Sequence, residues 1–149
     1  MLNINWDLRF ISLAQYIATW SKDPSTKVGA VLVGPDHEVI SHGFNGFPST
    51  MRDDLELYNN REEKLDRIVH AELNALIYAA RRLPEGTILY TIPFMPCHKC
   101  CIIMIQAGIR RFVAPSPTQA QAERWGDSFS KTRKYILEVG GLLEEYSIH

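Results

Sequence analysis

The spacing of apolar and polar residues predicts a helix, a hairpin and then alternating helices and strands. Between Trp6 and Trp20, apolar residues recur three and four positions apart, which is typical of a helix with one buried face. The segment SKDPSTK interrupts this pattern at Pro24. The apolar run VGAVLVG from Val28 predicts a buried strand, PDHE a turn, and VISHGF the partner strand of a hairpin.

The residues that follow predict a long loop and a second helix. The segment NGFPSTMRDDLELYNN, residues 45–60, is polar and rich in turn-forming residues, and a loop of this length is more often functional than idle. A helix is expected from about Arg61 or Val69 to Arg82, before LPEG. Its buried stripe would consist of Leu73, Leu76, Ile77 and Ala80.

The rest of the chain predicts three more strands, separated by helices. The strands are TILYTI, IRRFVAP and GLLEEYSI. CCIIMIQAG predicts a helix that ends at Gly108, and its isoleucines cover most of its faces, so we expect it to be buried, in part against another subunit. Residues 118–139 predict a helix that is broken near Gly126.

Together these elements predict an α/β fold, a three-layer α/β/α sandwich around a mixed sheet of five strands. The hairpin supplies an antiparallel pair of strands, and a connection as long as a helix makes the last two strands parallel. A chain of 149 residues is the size of one ordinary domain, so residues 1–149 are expected to form a single domain.

Composition restricts the classes of function. The formal net charge is −1 and the pI is about 6.5, whereas a stable nucleic-acid partner usually requires a basic excess. A small-molecule substrate is therefore favoured. We expect no membrane span, because no long uninterrupted apolar run occurs. The first residues lack the pattern of a signal peptide, and three clustered cysteines cannot form a disulfide framework, which favours a cytoplasmic protein.

All three cysteines lie in PCHKCC, residues 96–101. Cys97 and Cys100 form a Cys-x-x-Cys pair that can bind one tetrahedral zinc ion, and the positive end of a helix starting there favours thiolates. His70 as third ligand would leave one coordination position open, as in catalytic sites. Residues two apart converge only at the start of a helix, and Glu72 stands there beside His70 as a candidate for proton transfer.

Two simpler interpretations of the cysteine pair remain open. It could be a redox pair, or a structural zinc site in which His98 is a further ligand. Neither accounts for Glu72, nor for the position of both motifs at predicted helix starts. Cys101 is interpreted as a small buried residue of its helix.

The combination of HAE and PCHKC resembles the signature of zinc-dependent nucleobase deaminases. The chain is identified as a member of the cytidine deaminase superfamily, and it is most similar to the deoxycytidylate (dCMP) deaminase branch from about Asp7 onwards. The segments that carry the resemblance are SKDPSTKVGAVLV, GFNGFP, HAELNAL, PCHKC and IMIQAGIRR. The resemblance implies a hydrolase that breaks a cyclic amidine C–N bond at C4 of cytosine, giving dUMP and ammonia from dCMP.

The resemblance also implies a ligand set and a proton carrier. His70, Cys97 and Cys100 match the ligands of one catalytic zinc ion per chain, and Glu72 matches the proton shuttle. Asn45 matches a residue that holds the sugar of the substrate. The segment Val28–Ala30 matches the wall of the base pocket, with Val28 and Ala30 as contacts and Ala71 as a further candidate.

A nucleotide substrate also requires ligands for its phosphate. The first candidates are the two lysines that flank the DPST turn, Lys22 and Lys27, and two residues of the turn itself, Ser25 and Thr26. Arg52 and Arg61, on and beside the predicted long loop, are their rivals.

Many dCMP deaminases are hexamers that dCTP activates and dTTP inhibits. The resemblance implies a homo-oligomer, a hexamer or a dimer, with a candidate regulatory site at Gly43, Phe44, Asn45, Gly46 and Arg81. The chain departs from regulated members in three places. Residues 47–60 hold no cysteine or histidine cluster for a second zinc ion, YTIPFMPC is one residue longer than usual, and PSPTQAQAERWGDSF does not match.

Other functions stay open at this stage. The substrate could be CMP, a modified dCMP, guanine, free cytidine or tRNA adenosine, although a tRNA enzyme should have a basic groove. From a different class, the chain could be a catalytically inactive deaminase fold that serves as a binding module. The intact set of His70, Glu72, Cys97 and Cys100 argues against that interpretation.

Overall fold

The computed structural model describes residues 1–147 and contains a sheet in the order β2–β1–β3–β4–β5. The strands are Gly29–Val33 (β1), Val39–Phe44 (β2), Ile88–Ile92 (β3), Arg111–Pro115 (β4) and Leu142–Tyr146 (β5). β1 is antiparallel to β2 and β3, whereas β3, β4 and β5 run parallel. The predicted mixed sheet of five strands, with the last two parallel, is confirmed. Ile148, at the end of the predicted last strand, lies outside the described residues.

Helices cover both faces of this sheet. They are Asp7–Ala18 (α1), Leu55–Asn59 (α2), Arg61–Arg67 (α3), Ala71–Ala79 (α4), His98–Gln106 (α5) and Gln119–Glu138 (α6). α1 packs on one face, and α4, α5 and α6 share the core on the other face. The three-layer α/β/α architecture is therefore confirmed. Among residues 1–147, no helix has the length and apolar character needed to cross a bilayer.

The two cores follow from the alternation of side chains along the strands. On β1, Val31 and Val33 point to the α1 face, whereas Ala30 and Leu32 join the core under α4 and α5. All five residues of β1 are buried, as expected for a central strand with helices on both sides. The apolar run from Val28 therefore packs against helices on both faces of the sheet, α1 on one and α4 and α5 on the other.

The segment predicted as one helix up to Arg82 is two helices with an extended break. α3 ends at Arg67, Ile68 and His70 have extended backbones, and α4 begins at Ala71. Val69, inside the break, forms an antiparallel bridge with Gly46, with N–H···O distances of 2.8 and 3.1 Å. This pairing with the end of β2 redirects the chain before α4. The predicted long loop also proves to contain a short helix, α2.

The predicted buried stripe of α4 is wrong for Ile77 and Ala80, which are exposed, whereas Leu76 is half-buried and packs on the core. The buried residues of α4 are Ala71, Glu72 and Ala75, whereas Ile77 is 60% exposed. The helix also ends earlier than predicted, because Ala80 adopts a left-handed conformation with φ of 53°. Small residues face the sheet here, so α4 lies very close to it.

The predicted break near Gly126 is also wrong, since α6 is continuous through this position. Glycine inside a helix costs about 1 kcal/mol relative to alanine. A capping box between Thr118 and Gln121 stabilises the start of the helix. Trp125 and Phe129, on either side of Gly126, pack together with Phe94.

Candidate active site

Two helix N-termini meet beside the sheet and bring together side chains from distant parts of the chain. His70 is the N-cap residue of α4, and Cys97 is the N-cap residue of α5. His70 Nδ1 lies 3.2 Å from Cys100 Sγ and 3.6 Å from Cys97 Sγ. The backbone N–H of Cys100 donates to Cys97 Sγ at 3.5 Å. The predicted ligand set therefore converges on one point.

The donor atoms fit a tetrahedral zinc ion. The ligand atoms of His70, Cys97 and Cys100 all lie within 4.8 Å of one another. Zinc bonds of about 2.0–2.1 Å to nitrogen and 2.3 Å to sulfur place tetrahedral neighbours about 3.6 Å apart, close to both nitrogen–sulfur distances here. One imidazole and two thiols from the same cluster are also the donor types that zinc prefers. These three residues could thus hold the metal.

The electrostatics of the cysteine pair favour a thiolate even before a metal is considered. A hydrogen bond with Cys100 lowers the pKa of Cys97 to about 4, and the His70 ring acts in the same direction. The same hydrogen bond, together with burial, raises the pKa of Cys100. Hydrogen bonding to Cys97 raises the pKa of His70. The cluster therefore favours a thiolate at Cys97 and a thiol at Cys100, and a metal cation bound by both sulfur atoms would displace the thiol proton.

Glu72 lies in the first turn of α4 and is only 4% exposed. Burial raises the pKa of Glu72 to about 7, against the opposing effect of the His70 charge. A carboxyl group with this pKa can both take up and release a proton near neutral pH. Glu72 lines the same cavity as His70 and Cys97 but is not among the residues whose ligand atoms lie within 4.8 Å of one another.

The segment Gly43–Gly46 fixes α4 against the sheet. A β-carbon on Gly43 would lie 2.4 Å from the Ala71 carbonyl oxygen, so only glycine allows this close approach. The Phe44 carbonyl accepts a hydrogen bond of 2.8 Å from Asn74 Nδ2. These contacts, with the bridge between Gly46 and Val69 described above, set the position of His70 and Glu72. The candidate regulatory residues of this segment therefore have a structural role at the site.

A cavity of about 180 Å³ leads to the ligand cluster. Its lining includes His70, Ala71, Glu72 and Cys97. The aromatic rings of Phe94, Trp125 and Phe129 form one side of the cavity, with Phe94 and Trp125 centroids 5.0 Å apart. A flat aromatic surface in the same cavity as the polar side chains of His70 and Glu72 suits the binding of a planar heterocycle.

A second part of the lining, which we call the substrate wall, is formed by Asp23, Thr26, Val28 and Asn45. Asn45 is held in one orientation. Its Oδ1 accepts from the Val28 N–H at 2.8 Å, and its Nδ2 donates to the Thr26 carbonyl at 2.9 Å and to Asp23 Oδ2 at 3.3 Å. Both amide hydrogens are thereby used within the protein. A ligand hydroxyl could then only donate to Oδ1.

Several predicted substrate residues are not on the cavity lining. Lys22 is exposed, forms an ion pair with Asp53 at 2.5 Å, and lines a different cavity beside β2. Lys27 donates to the Ser21 carbonyl, and the Ser25 N–H donates to Asp23. Ala30 is fully buried in the core beneath α4 and α5. Thr26, Val28, Asn45 and Ala71 do line the cavity.

The second cavity, of about 850 Å³, lies along β2 and includes Gly43, Phe44, Asn45 and Gly46 in its lining. Arg81 is exposed beyond the end of α4, with Nε donating to the Arg82 carbonyl at 3.3 Å. Arg81 is not part of this lining. The candidate regulatory residues are therefore only partly brought together.

Sequence reasoning missed most of the residues on α3 and α6 that line the cavity. Arg61, named only as a rival phosphate ligand, lines the cavity together with Lys64 from the same helix. Arg124 and Trp125 enter from α6, and the Arg124 guanidinium lies 4.5 Å from the Trp125 ring centroid. Arg61, Lys64, Leu65 and Ile68 recur at helical spacing, which could have identified one pocket-facing side of α3.

Comparison with known proteins gives consistent matches. The family model described as cytidine and deoxycytidylate deaminase zinc-binding region matches residues 4–115. An uncharacterized deaminase in the luxG 3′ region of Aliivibrio fischeri is 36% identical over 135 residues, 91% of this chain and 89% of that protein. The deoxycytidylate deaminase of Homo sapiens is 35% identical over 139 residues, 90% of this chain and 74% of that protein.

A solved structure has the same fold. The crystal structure of the dCMP deaminase from cyanophage S-TIM5, in complex with dCMP and dUMP, superposes with a TM-score of 0.76 at 21% identity. The match covers 97% of this chain and 99% of that one. The arrangement of strands and helices described above is thus shared with that protein.

Proposed function

Because the chain belongs to the cytidine and deoxycytidylate deaminase zinc-binding family, we propose that it is a hydrolase that converts dCMP and water to dUMP and ammonia. The observation that carries this proposal is the buried carboxyl group of Glu72, which lines the same cavity as His70 and Cys97 of the cluster His70, Cys97 and Cys100. Its relatives named deoxycytidylate deaminase support the choice of substrate.

The chain's own residues account for the proton transfers of this reaction. A zinc ion held by His70, Cys97 and Cys100 would supply Lewis-acid activation of the attacking water. Glu72 takes a proton as the water oxygen bonds to C4 and delivers it to ring N3. Glu72 then takes the proton of the new hydroxyl group on C4 and passes it to the exocyclic nitrogen, so that the C4=O bond forms as the C4–N4 bond breaks and ammonia leaves. The atoms balance, because one water is consumed and one ammonia is released.

The two sides of the cavity suit the base and the sugar. Phe94 and Trp125 offer flat aromatic surface for the cytosine ring. Asn45 Oδ1 can accept a hydrogen bond from a sugar hydroxyl, since its two amide hydrogens are already used. Base and sugar would therefore lie between the aromatic side and the substrate wall.

The phosphate is assigned to Arg61 and Arg124 rather than to the lysines of the DPST turn. Both arginines line the cavity, and within residues 1–147 neither takes part in an ion pair. Lys22 is instead paired with Asp53, and Lys27 lies off the lining. Guanidinium groups bind phosphate through paired hydrogen bonds. A nucleotide would therefore be favoured over a nucleoside.

The test is the rate of ammonia release by the zinc-loaded protein from dCMP, CMP and deoxycytidine in parallel. We expect dCMP to be the best substrate, and Arg61→Gln with Arg124→Gln to raise KM for dCMP while leaving deoxycytidine unaffected. Lys22→Gln serves as the control, since it removes an exposed lysine off the lining. Equal rates with dCMP and deoxycytidine would exclude a phosphate site, and no release from any of the three would refute the proposal.

A homo-oligomer in the cytoplasm is the remaining part of the proposal. Ile102 and Ile103 on α5 are 49% and 39% exposed, and Ile77 and Tyr78 on α4 are exposed as well. Apolar side chains on two neighbouring helices are typical of surfaces between subunits. Light scattering of the purified protein measures the mass directly. A monomer at micromolar concentration would contradict this part alone.

A further inference from the structure

Asp23 lies at the centre of the substrate wall, and its side chain is only 2% exposed. Its carboxylate accepts hydrogen bonds from the backbone N–H groups of Ser25 and Thr26, at 2.8 and 3.4 Å. Asn45 Nδ2 donates to the same group at 3.3 Å. Asp23 therefore joins the turn before β1 to the residue that follows β2.

The charge that balances Asp23 comes from another part of the chain. Lys64 Nζ on α3 lies 2.8 Å from Asp23 Oδ2 and 3.0 Å from Oδ1, and the Lys64 side chain is 17% exposed. Forty-one residues separate the two. Removal of the cationic partner of a buried carboxylate strongly destabilises a folded protein. The pair therefore constrains both segments that it connects.

α3 depends on this contact more than the other helices do. It contains no buried residue, and the ion pair of Arg67 with Glu63 lies within the helix itself. Among the described residues, the ion pair of Lys64 with Asp23 is the one that connects α3 to another element. Arg61 lines the cavity from the same side of α3, one turn before Lys64. The position of Arg61 therefore follows from that of Lys64.

We propose that Lys64 is a positioning residue, whose ion pair with Asp23 holds α3 and the Asn45 amide in the arrangement that binds the nucleotide. The inference rests on the proposed function for its ligand but not for its geometry. Lys64 affects the ligand indirectly, through Asp23, because its ammonium group is already bound by both carboxylate oxygens of Asp23. Its removal should weaken the binding of sugar and base as well as of phosphate.

The experiment compares Lys64→Met, Lys64→Arg and the double variant Asp23→Asn with Lys64→Met. We expect Lys64→Met to raise KM about 10–100-fold for dCMP and by a similar factor for deoxycytidine, with kcat changed less than about threefold. Lys64→Arg should restore most of the affinity. The double variant should be less impaired than Lys64→Met, since its amide leaves no buried charge unpaired. Lys131→Met, which removes an exposed partner of Asp127, is the control.

Two further measurements separate this inference from the proposed function. Hydrogen exchange of the α3 amides, residues 61–67, should become faster in Lys64→Met and return to the wild-type rate in Lys64→Arg, whatever the substrate is. Quenching of Trp125 fluorescence by dCMP gives affinity without turnover. A wild-type protein that neither binds nor deaminates dCMP would refute the proposed function, while the exchange data still decide whether Lys64 holds α3.

Three results would overturn the inference. A rise in KM for dCMP with no change for deoxycytidine would make Lys64 a phosphate ligand. Unchanged affinity together with unchanged exchange in residues 61–67 would mean that the ion pair holds nothing in place. A double variant at least as impaired as Lys64→Met would mean that Lys64 does not act through Asp23. If Lys64→Met does not fold, wild-type exchange rates and affinity in Lys64→Gln, with a shorter side chain, would overturn it equally.

Discussion

His70 Nδ1 and Cys100 Sγ lie 3.2 Å apart although 30 residues separate them in the chain. The contact exists because α4 and α5 both begin at the same point beside the sheet. It places an imidazole nitrogen and a thiol sulfur where both could become ligands of one zinc ion. Metal binding should therefore stabilise the fold itself.

We predict that Cys100→Ser lowers zinc content from one ion per chain to well below it, and that it abolishes turnover. Removing zinc from the wild-type protein with a chelator should likewise lower the melting temperature, because only the folded state has the assembled ligand set. Metal analysis and thermal unfolding with and without added zinc measure both effects. Cys101→Ser is the control, since Cys101 is buried in the core but is not in the ligand cluster. Equal melting temperatures with and without zinc would contradict the prediction.

Glu72→Gln separates catalysis from structure. The substitution keeps the size of the side chain and removes the charge from a buried position, so we expect zinc content and thermal stability to be preserved. Loss of the proton carrier should reduce kcat by about 10²–10⁴-fold or more. Steady-state kinetics with dCMP, together with metal analysis of the same sample, check this. Glu72→Ala should lose activity to a similar extent. Substantial turnover in either variant would refute the proton-transfer role of Glu72.

The residues that come together as His70, Cys97 and Cys100 could be identified from the sequence because each of their two motifs is local. The start of α4 determines the positions of His70 and Glu72, and the start of α5 determines those of Cys97 and Cys100. The apolar periodicity of the sequence locates both helices. The residues on the outer part of the cavity could not be predicted in this way. Arg124 reaches the cavity only because α6 packs beside α5, a relationship that no short segment encodes.

For the fold, too, features that depend on contacts between distant segments could not be predicted from the sequence. Alternating apolar runs gave the strands and their order along the chain, but the break between α3 and α4 depends on a bridge between Val69 and Gly46, 23 positions apart in the numbering. The predicted buried stripe of α4 failed because the helix packs through Ala71 and Ala75 onto Gly43. Close packing of small residues leaves large apolar residues such as Ile77 outside, against the usual expectation.

Gly43→Ala should disturb the site through packing. A β-carbon there would lie 2.4 Å from the Ala71 carbonyl oxygen and 2.5 Å from the Ala75 nitrogen, and both are backbone atoms of α4. Overpacking of this kind costs about 1–3 kcal/mol, and a shift of α4 would move Glu72 away from its place. We therefore expect a lower free energy of unfolding and a lower kcat, measured by denaturant titration and kinetics.

Gly46→Ala is the matched control within the same segment. A β-carbon on Gly46 would meet only the Tyr58 hydroxyl, at 3.7 Å, which is ordinary contact. This variant should stay within about 0.5–1 kcal/mol of the wild-type stability. If Gly43→Ala proved as stable and as active as Gly46→Ala, the close approach of α4 to β2 would not be what positions the site.

Asp7 should make stability fall in acid, far from the candidate site. Burial alone would raise the pKa of Asp7, but hydrogen bonds from Arg111, Tyr90 and the Asn3 backbone outweigh it and hold the pKa below its ordinary value of 3.8. Because the folded pKa is the lower one, the unfolded state binds the proton first as pH falls. The stabilisation is complete above about pH 3.8 and is lost as the pH drops through the folded pKa.

Asp7→Asn should therefore lower stability at neutral pH and reduce the loss of stability between about pH 5 and pH 2. The expected cost at pH 7 is below the roughly 3–5 kcal/mol of a fully buried pair, since Arg111 also contacts Glu144 at 3.2 Å and is partly exposed. Urea titrations across this pH range measure both quantities. Asp127→Asn is the control, because that carboxylate is 91% exposed and its removal should leave the curve unchanged. A pH profile of Asp7→Asn parallel to the wild-type one would show that Arg111 does not hold this aspartate ionised.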